Sequence, residues 1–146
     1  MDVCCFKRAF DDQRSPRVQL ETAAIATLIG RAERHQVRLV RSPAHVFEND
    51  RNPREDRRLA TSIWLATAEL EVAFSEEAAG RGRELASLGF GTLDALHTAF
   101  AEAAGARWLV TTDDRLVALG QRQRAALSTE IANPIRLLEQ LEESGT

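Results

Sequence analysis

Residues Gly89 to Leu116 read GFGTLDALHTAFAEAAGARWLVTTDDRL, and this stretch decides the fold class. Leu93, Leu96, Ala99, Phe100 and Ala103 recur at helical spacing, opened by Asp94 and closed by Gly105. Arg107-Trp108-Leu109-Val110-Thr111 then reads as a short buried strand. Asp113 and Asp114 stand at its carboxyl end, before the helical set Leu116, Val117 and Leu119. Helix, strand, acidic turn and helix make up the unit of an open α/β sheet, whose ligands sit in the crevice at the carboxyl ends of the strands. Carboxylates gathered there repel: two unit charges ~4 Å apart cost ~4 kcal/mol at an effective dielectric of ~20. The unit already suggests a divalent cation.

The same alternation extends in both directions. Residues 1–17 are charged and read as irregular chain, with Asp11, Asp12, Ser15 and Pro16 marking loop. From Val18 to about His35 the set Leu20, Ala24, Ile25, Leu28, Ile29 and Ala32 predicts a helix. Val37 to Arg41 alternates like a strand, and Ser42-Pro43 has the cap-then-proline order that starts a helix. Pro53 restarts a helix carrying Leu59, Ile63 and Trp64, whereas Leu70 to Phe74 fits either a helix end or a strand. Ser75-Glu76-Glu77 caps a helix that runs to Leu88, weakened by Gly80 and Gly82. Beyond Leu116 the helix continues to about Arg124, Thr129 to Ala132 is a short strand, and Asn133-Pro134 opens a last helix. Helices alternating with short strands predict an α/β domain, residues 1–146, with a short parallel sheet sandwiched between helices.

Composition narrows the function classes. A chain of 146 residues with 44% hydrophobic and 28% charged residues is ordinary for a globular domain. The net charge of −3 makes the whole surface no magnet for nucleic acid, so any such role must rest on local patches. Cys4 and Cys5 are adjacent, a pairing that strains a disulfide, and no other cysteine exists. Reduced thiols, no signal-like amino terminus and no apolar run of membrane-spanning length predict a soluble cytoplasmic protein with no membrane partner.

Several sites can be set aside. The chain has no P-loop, Gly89-Phe90-Gly91 lacks dinucleotide spacing, and there is no G-x-S-x-G elbow. Lys7 is the only lysine, which removes a receiver-type phospho-acceptor site. Asp94 and His97 share a helix face, but a di-iron bundle needs that motif twice and two further glutamates. The carboxylates remain.

At this point the chain resembles the PIN-domain ribonucleases, a family that includes the VapC-type toxins of toxin–antitoxin pairs. DALHTAFAEAAGARWLVTTDDRL carries most of the likeness; the opening DVCCFKRAFDDQ, SPAHVFEN from Ser42 to Asn49, and Asn133-Pro134-Ile135 carry the rest. The resemblance spans nearly the whole chain. It implies a three-layer α/β/α fold and an acidic site that binds Mg²⁺ or Mn²⁺ and hydrolyses RNA. Matched motif by motif, the acids fall on Asp2, Glu48, Asp94 and Asp113. Thr111 falls on a hydroxyl position that would orient water at the ion, while His97 is expected to pack or hydrogen-bond rather than ligate. The chemistry suits these residues, since hard divalent ions prefer oxygen ligands and lower the pKa of water. Family members carry an apolar strand before the first aspartate; with Met1 alone ahead of Asp2, either the start is assigned too late or that strand is expected to be truncated. A toxin role would bring RNA as substrate, an antitoxin protein that masks the site, and a homodimer; neither protein contact is visible in the residues.

Each acid also has a plainer reading. Asp94, Asp113 or Asp114 could simply cap a helix, a role that favours Asp over Ala by ~0.5–2 kcal/mol. Glu48 alone would be a solvated surface acid. Arg51, Arg54, Arg57 and Arg58 would more often form a solvated helix face pairing with Glu55 and Asp56 than a phosphate grip. Two rival functions stay open: a catalytically impaired PIN-like module that binds RNA or protein, and an unrelated α/β hydrolase of phosphate monoesters.

Overall fold

The computed structural model describes residues 1–145; Thr146, the end of the expected domain, lies outside the described residues. In chain order the elements are α1 (Val3–Lys7), α2 (Pro16–Glu33), β1 (Val40–Arg41), α3 (Pro43–Asp50) and α4 (Glu55–Ala66). They continue as β2 (Leu70–Glu71), α5 (Glu76–Ser87), α6 (Thr92–Ala103), β3 (Trp108–Val110), α7 (Asp114–Arg122), β4 (Glu130–Ala132) and α8 (Pro134–Glu143). The architecture is α/β and mostly helical.

The expected single sheet is a correction. Among the described residues β1 pairs only with β2 and β3 only with β4, both parallel, with Val40 opposite Leu70 and Leu109 opposite Ile131. The physical reason is the gap between the pairs. A mostly apolar cavity of about 490 Å³, lined among others by Leu28, Val37, Leu39, Phe100 and Trp108, borders both β1 and β3. In a strand, successive backbone groups face opposite edges. Arg107 and Thr111 bond to β4, and so Trp108 and Val110 turn their amides toward the other edge. There the Asp2 N–H donates to the Val110 carbonyl at 2.7 Å, so Asp2 extends this sheet by one bond before α1 begins.

Alternation on β3 also divides the core. Val110 packs with Phe6, Ile25, Leu28, Leu65 and Leu137 from α1, α2, α4 and α8. Leu109 points the other way, to Leu85, Phe90, Ala99, Leu116 and Ile131 from α5, α6 and α7 and their neighbours. Helices therefore cover both faces of β3–β4, as a parallel sheet requires.

Several local expectations shift. Residues 3–7 form a helix and 8–10 a 3₁₀ turn rather than irregular chain. Five residues are too few for intrinsic helix stability; burial of Val3, Cys5 and Phe6 holds α1 in place. The strand expected over Val37–Arg41 pairs only at Val40–Arg41, and α4 starts at Glu55 rather than Pro53. Ser15, expected as loop, is the N-cap of α2, its hydroxyl accepting the Val18 N–H. Ser75 and Asn133 cap α5 and α8 as expected. Gly105 ends α6 with φ 68°, a left-handed conformation that side chains resist.

Gly120 on α7 has a different purpose. A Cβ there would lie 2.8 Å from the Ile131 Cβ, so α7 reaches β4 only because that side chain is absent. Gly120→Ala is expected to destabilise the protein by about 1–2 kcal/mol. Overpacking of ~1–3 kcal/mol outweighs the ~1 kcal/mol gain in helix propensity. A urea-unfolding midpoint unchanged or raised in this variant would show that α7 can move off β4.

Two side chains pin the site's surroundings to the core. Glu21 on α2 is fully buried, with Arg8 Nη2 at 2.7 Å and Arg17 Nε at 3.5 Å from Oε1, and the Asn133 amide donating to Oε2. Asn133 in turn caps α8, its Oδ1 accepting the Ile135 N–H at 2.8 Å. The amino-terminal turn, α2 and the β4–α8 corner thus share one buried charge.

Candidate metal centre

Asp2 precedes α1, Glu48 lies on α3, and Asp94 and His97 lie on α6. The i, i+3 spacing of the last two puts them on one helix face. One ligand atom from each of Asp2, Glu48 and His97 falls within a mutual 4.8 Å. His97 Nε2 is 3.4 Å from Glu48 Oε1 and 3.8 Å from Asp2 Oδ1. Asp2 and His97 are buried and Glu48 is partly so.

Asp94 and Asp113 fall outside this tightest group but within its field. The Asp94 carboxyl is pushed up to about 6. Partial burial is the largest cause, followed by the negative charges of Asp2 and Asp113; His97 opposes the shift, and Glu48 adds to it. The four acids expected from the sequence therefore converge on one region, with Asp2 and Glu48 at its centre beside His97.

The capping readings divide between the acids. Asp113 does cap α7, its Oδ1 accepting the Arg115 N–H at 2.9 Å and the Leu116 N–H at 3.4 Å. Asp114 instead binds Arg17 on the surface. Asp94 is not the cap of α6; Gly91 occupies that position and Asp94 sits in the first turn. Its carboxylate gains from the helix dipole, yet burial among like charges outweighs that gain.

Thr111 is fully buried. Its hydroxyl donates to Asp2 Oδ2 at 3.2 Å and accepts the Asp113 N–H at 3.1 Å. Thr111 therefore links the first acid to the last and leaves Asp2 Oδ1 on the His97 side.

His45 lies beside His97 with ring centroids 4.9 Å apart, edge to face. Its Nδ1 accepts the Ser42 N–H at 3.0 Å and its Nε2 donates to the Met1 carbonyl at 2.5 Å. Burial, the amino terminus and His97 hold its pKa down at about 3, so this ring is neutral and fully committed. Among the described residues none of the arginines after Glu48 forms an ion pair with the site carboxylates. Arg51 stacks on Phe47 at 3.9 Å, Arg57 stands over Phe10, and Arg58 donates to the Asn52 carbonyl. Only Arg54 approaches an expected partner, Asp56, at 3.8 Å. Trp64 and Trp108 pack against the core.

Among the described residues no helix is long and apolar enough to cross a membrane. No protein-family model, no curated protein and no solved structure matches this chain.

Proposed function

We propose that this protein is a PIN-like, divalent-metal-dependent endoribonuclease, built as a three-layer α/β/α domain and using Asp2, Glu48, Asp94 and Asp113. The observation that carries the reading is the meeting of Asp2 and Glu48, 46 positions apart by their numbering, within 4.8 Å around His97, with Asp94 close enough to feel both charges. Four acids sharing one region destabilise each other unless a cation joins them. Their oxygens suit Mg²⁺ or Mn²⁺. When bound, such an ion offsets charge on a phosphodiester and makes water easier to deprotonate.

The chain's own groups supply the positioning. Thr111 holds Asp2 by one oxygen, and the sheet bond from the Asp2 amide to Val110 fixes its backbone. α3 carries Glu48 and the neighbouring α6 carries Asp94. Asp113 spends Oδ1 on the α7 cap, which locks its rotamer. Such support matters because site groups act within ~0.5 Å of their working position.

A toxin role would add an antitoxin and a homodimer. What supports a protein partner is the exposure of Val46 and Phe47 on α3, next to Glu48 in sequence, and of Leu59 and Ile63 on α4.

The test is cleavage of single-stranded RNA with Mg²⁺ or Mn²⁺ and with chelator. Turnover only with the ion supports the reading; equal turnover in chelator rejects it. The impaired-module alternative draws on the position of Asp94 and Asp113 outside the tightest group, and predicts RNA retention without turnover. Activity on small phosphate monoesters but not RNA would select the third reading.

A further inference from the structure

We infer that His97 is a nitrogen ligand, so that the centre is a mixed imidazole–carboxylate site preferring a first-row transition ion such as Mn²⁺ over Mg²⁺. The inference rests on the metal-binding half of the reading above and is independent of which reaction the site performs.

His97 is 2% exposed, and neither ring nitrogen has a hydrogen-bond partner among the described residues. Buried polar side chains are rarely left so, and an unsatisfied buried group costs ~1–3 kcal/mol. The adjacent His45 shows the contrast, because both of its nitrogens are committed. The fold satisfies one imidazole and leaves the other aimed at two carboxylates.

The distances point the same way. Hydrogen bonds from nitrogen to oxygen run ~2.7–3.2 Å, and His97 Nε2 stands 3.4 Å and 3.8 Å from its neighbours. These contacts lie within ion-pair range but do not make hydrogen bonds. Donors around a common ion at ~2.1 Å, however, lie ~3.0 Å apart when adjacent and ~4.2 Å when opposite in octahedral geometry. Both separations fall in that interval. The Thr111 bond to Asp2 Oδ2 leaves Oδ1 on the Nε2 side, as a ligand pair needs. Ligating imidazoles usually have the other nitrogen fixed by an acceptor; here the edge-to-face ring of His45 restrains the side chain instead.

A neutral imidazole is a softer donor than a carboxylate. It adds affinity for nitrogen-accepting first-row ions, whereas Mg²⁺ gains little from it. The full-length protein is loaded with Mn²⁺ and examined by pulsed EPR for coupling to ¹⁴N, with Mn²⁺ and Mg²⁺ affinities measured for wild type and His97→Gln. The expected result is coupling to one imidazole nitrogen in wild type. His97→Gln should lose that coupling and bind Mn²⁺ about 10–100-fold more weakly, with a much smaller change for Mg²⁺. The EPR signature needs only the wild-type protein, so a variant that fails to fold leaves the test intact. Bound Mn²⁺ without ¹⁴N coupling overturns the inference while leaving the carboxylate site standing. Equal losses for the two ions in His97→Gln also overturn it. Absence of any metal binding overturns both the inference and the metal reading beneath it.

Discussion

Asp94→Asn should raise the thermal midpoint of the metal-free protein at pH 7 and at the same time abolish the RNA cleavage proposed for it. The two effects have one cause. The Asp94 carboxyl sits at about 6 in the fold against an ordinary 3.8, so the folded state holds its proton more tightly than the unfolded chain does. Stability from this group is greatest at low pH and is lost as pH rises from about 4 through about 6. Above that window the penalty is constant. A shift of this size corresponds to ~3 kcal/mol if fully expressed. Because the group is only partly buried, solvent screening reduces the expected gain in the variant to ~1–2 kcal/mol. For a chain of this length that is a rise of roughly 2–8 °C. The variant's stability should also vary less between pH 4 and 6. A fall in midpoint, or an unchanged pH profile, would mean that Asp94 is held by contacts more favourable than its neighbours are repulsive.

Glu21→Ala should destabilise the protein by about 2–4 kcal/mol. Removing one partner of a buried ion pair costs ~3–5 kcal/mol when the other charge is orphaned. Here the cations keep alternatives, Arg8 with Asp11 and Arg17 with Asp114, which lowers the figure. Asn133 loses an acceptor for its amide but keeps its cap on α8. The site should suffer with the fold, since Glu21 ties the amino-terminal turn near Asp2 to α2. Glu21→Gln, which keeps the shape and the Asn133 contact, should cost less than Glu21→Ala. Denaturant unfolding of both variants checks this order; equal costs would mean that packing rather than charge holds the corner.

How much of this was legible beforehand depended on length of pattern. The helices α2, α5, α6, α7 and α8 are nine residues or longer, enough for a 3.6-residue period to repeat, and Ser75, Asn133 and Gly105 punctuate them. The strands are two or three residues long, too short for alternation to be counted, and of the alternating stretch Val37–Arg41 the pairing takes in Val40–Arg41. α1 has five residues and exists because its apolar side chains meet the core, a tertiary fact with no local signal. The split between β1–β2 and β3–β4 depends on what fills the space between them, which no sequence pattern encodes.

The site was legible in a different manner. Asp94 and Asp113 stood out at helix entrances, whereas Asp2 and Glu48, each taken alone, pass for a terminal and a surface acid. His97 was visible as the residue one turn from Asp94, yet spacing alone cannot tell a satisfied core histidine from an unsatisfied one. That distinction required the positions of Glu48 and Asp2. Glu21 gave no signal at all, being one of two acids on a helix whose inward face looked apolar.

Thermal unfolding at pH 7, titrated with Mn²⁺ from chelated protein, tests most directly whether these side chains surround a cation. Binding to the folded state alone should add RT ln(1 + [L]/Kd), ~2.7 kcal/mol at a hundredfold excess over Kd, and the midpoint should climb steadily with ion concentration. A midpoint that stays flat up to millimolar Mn²⁺ would contradict the account.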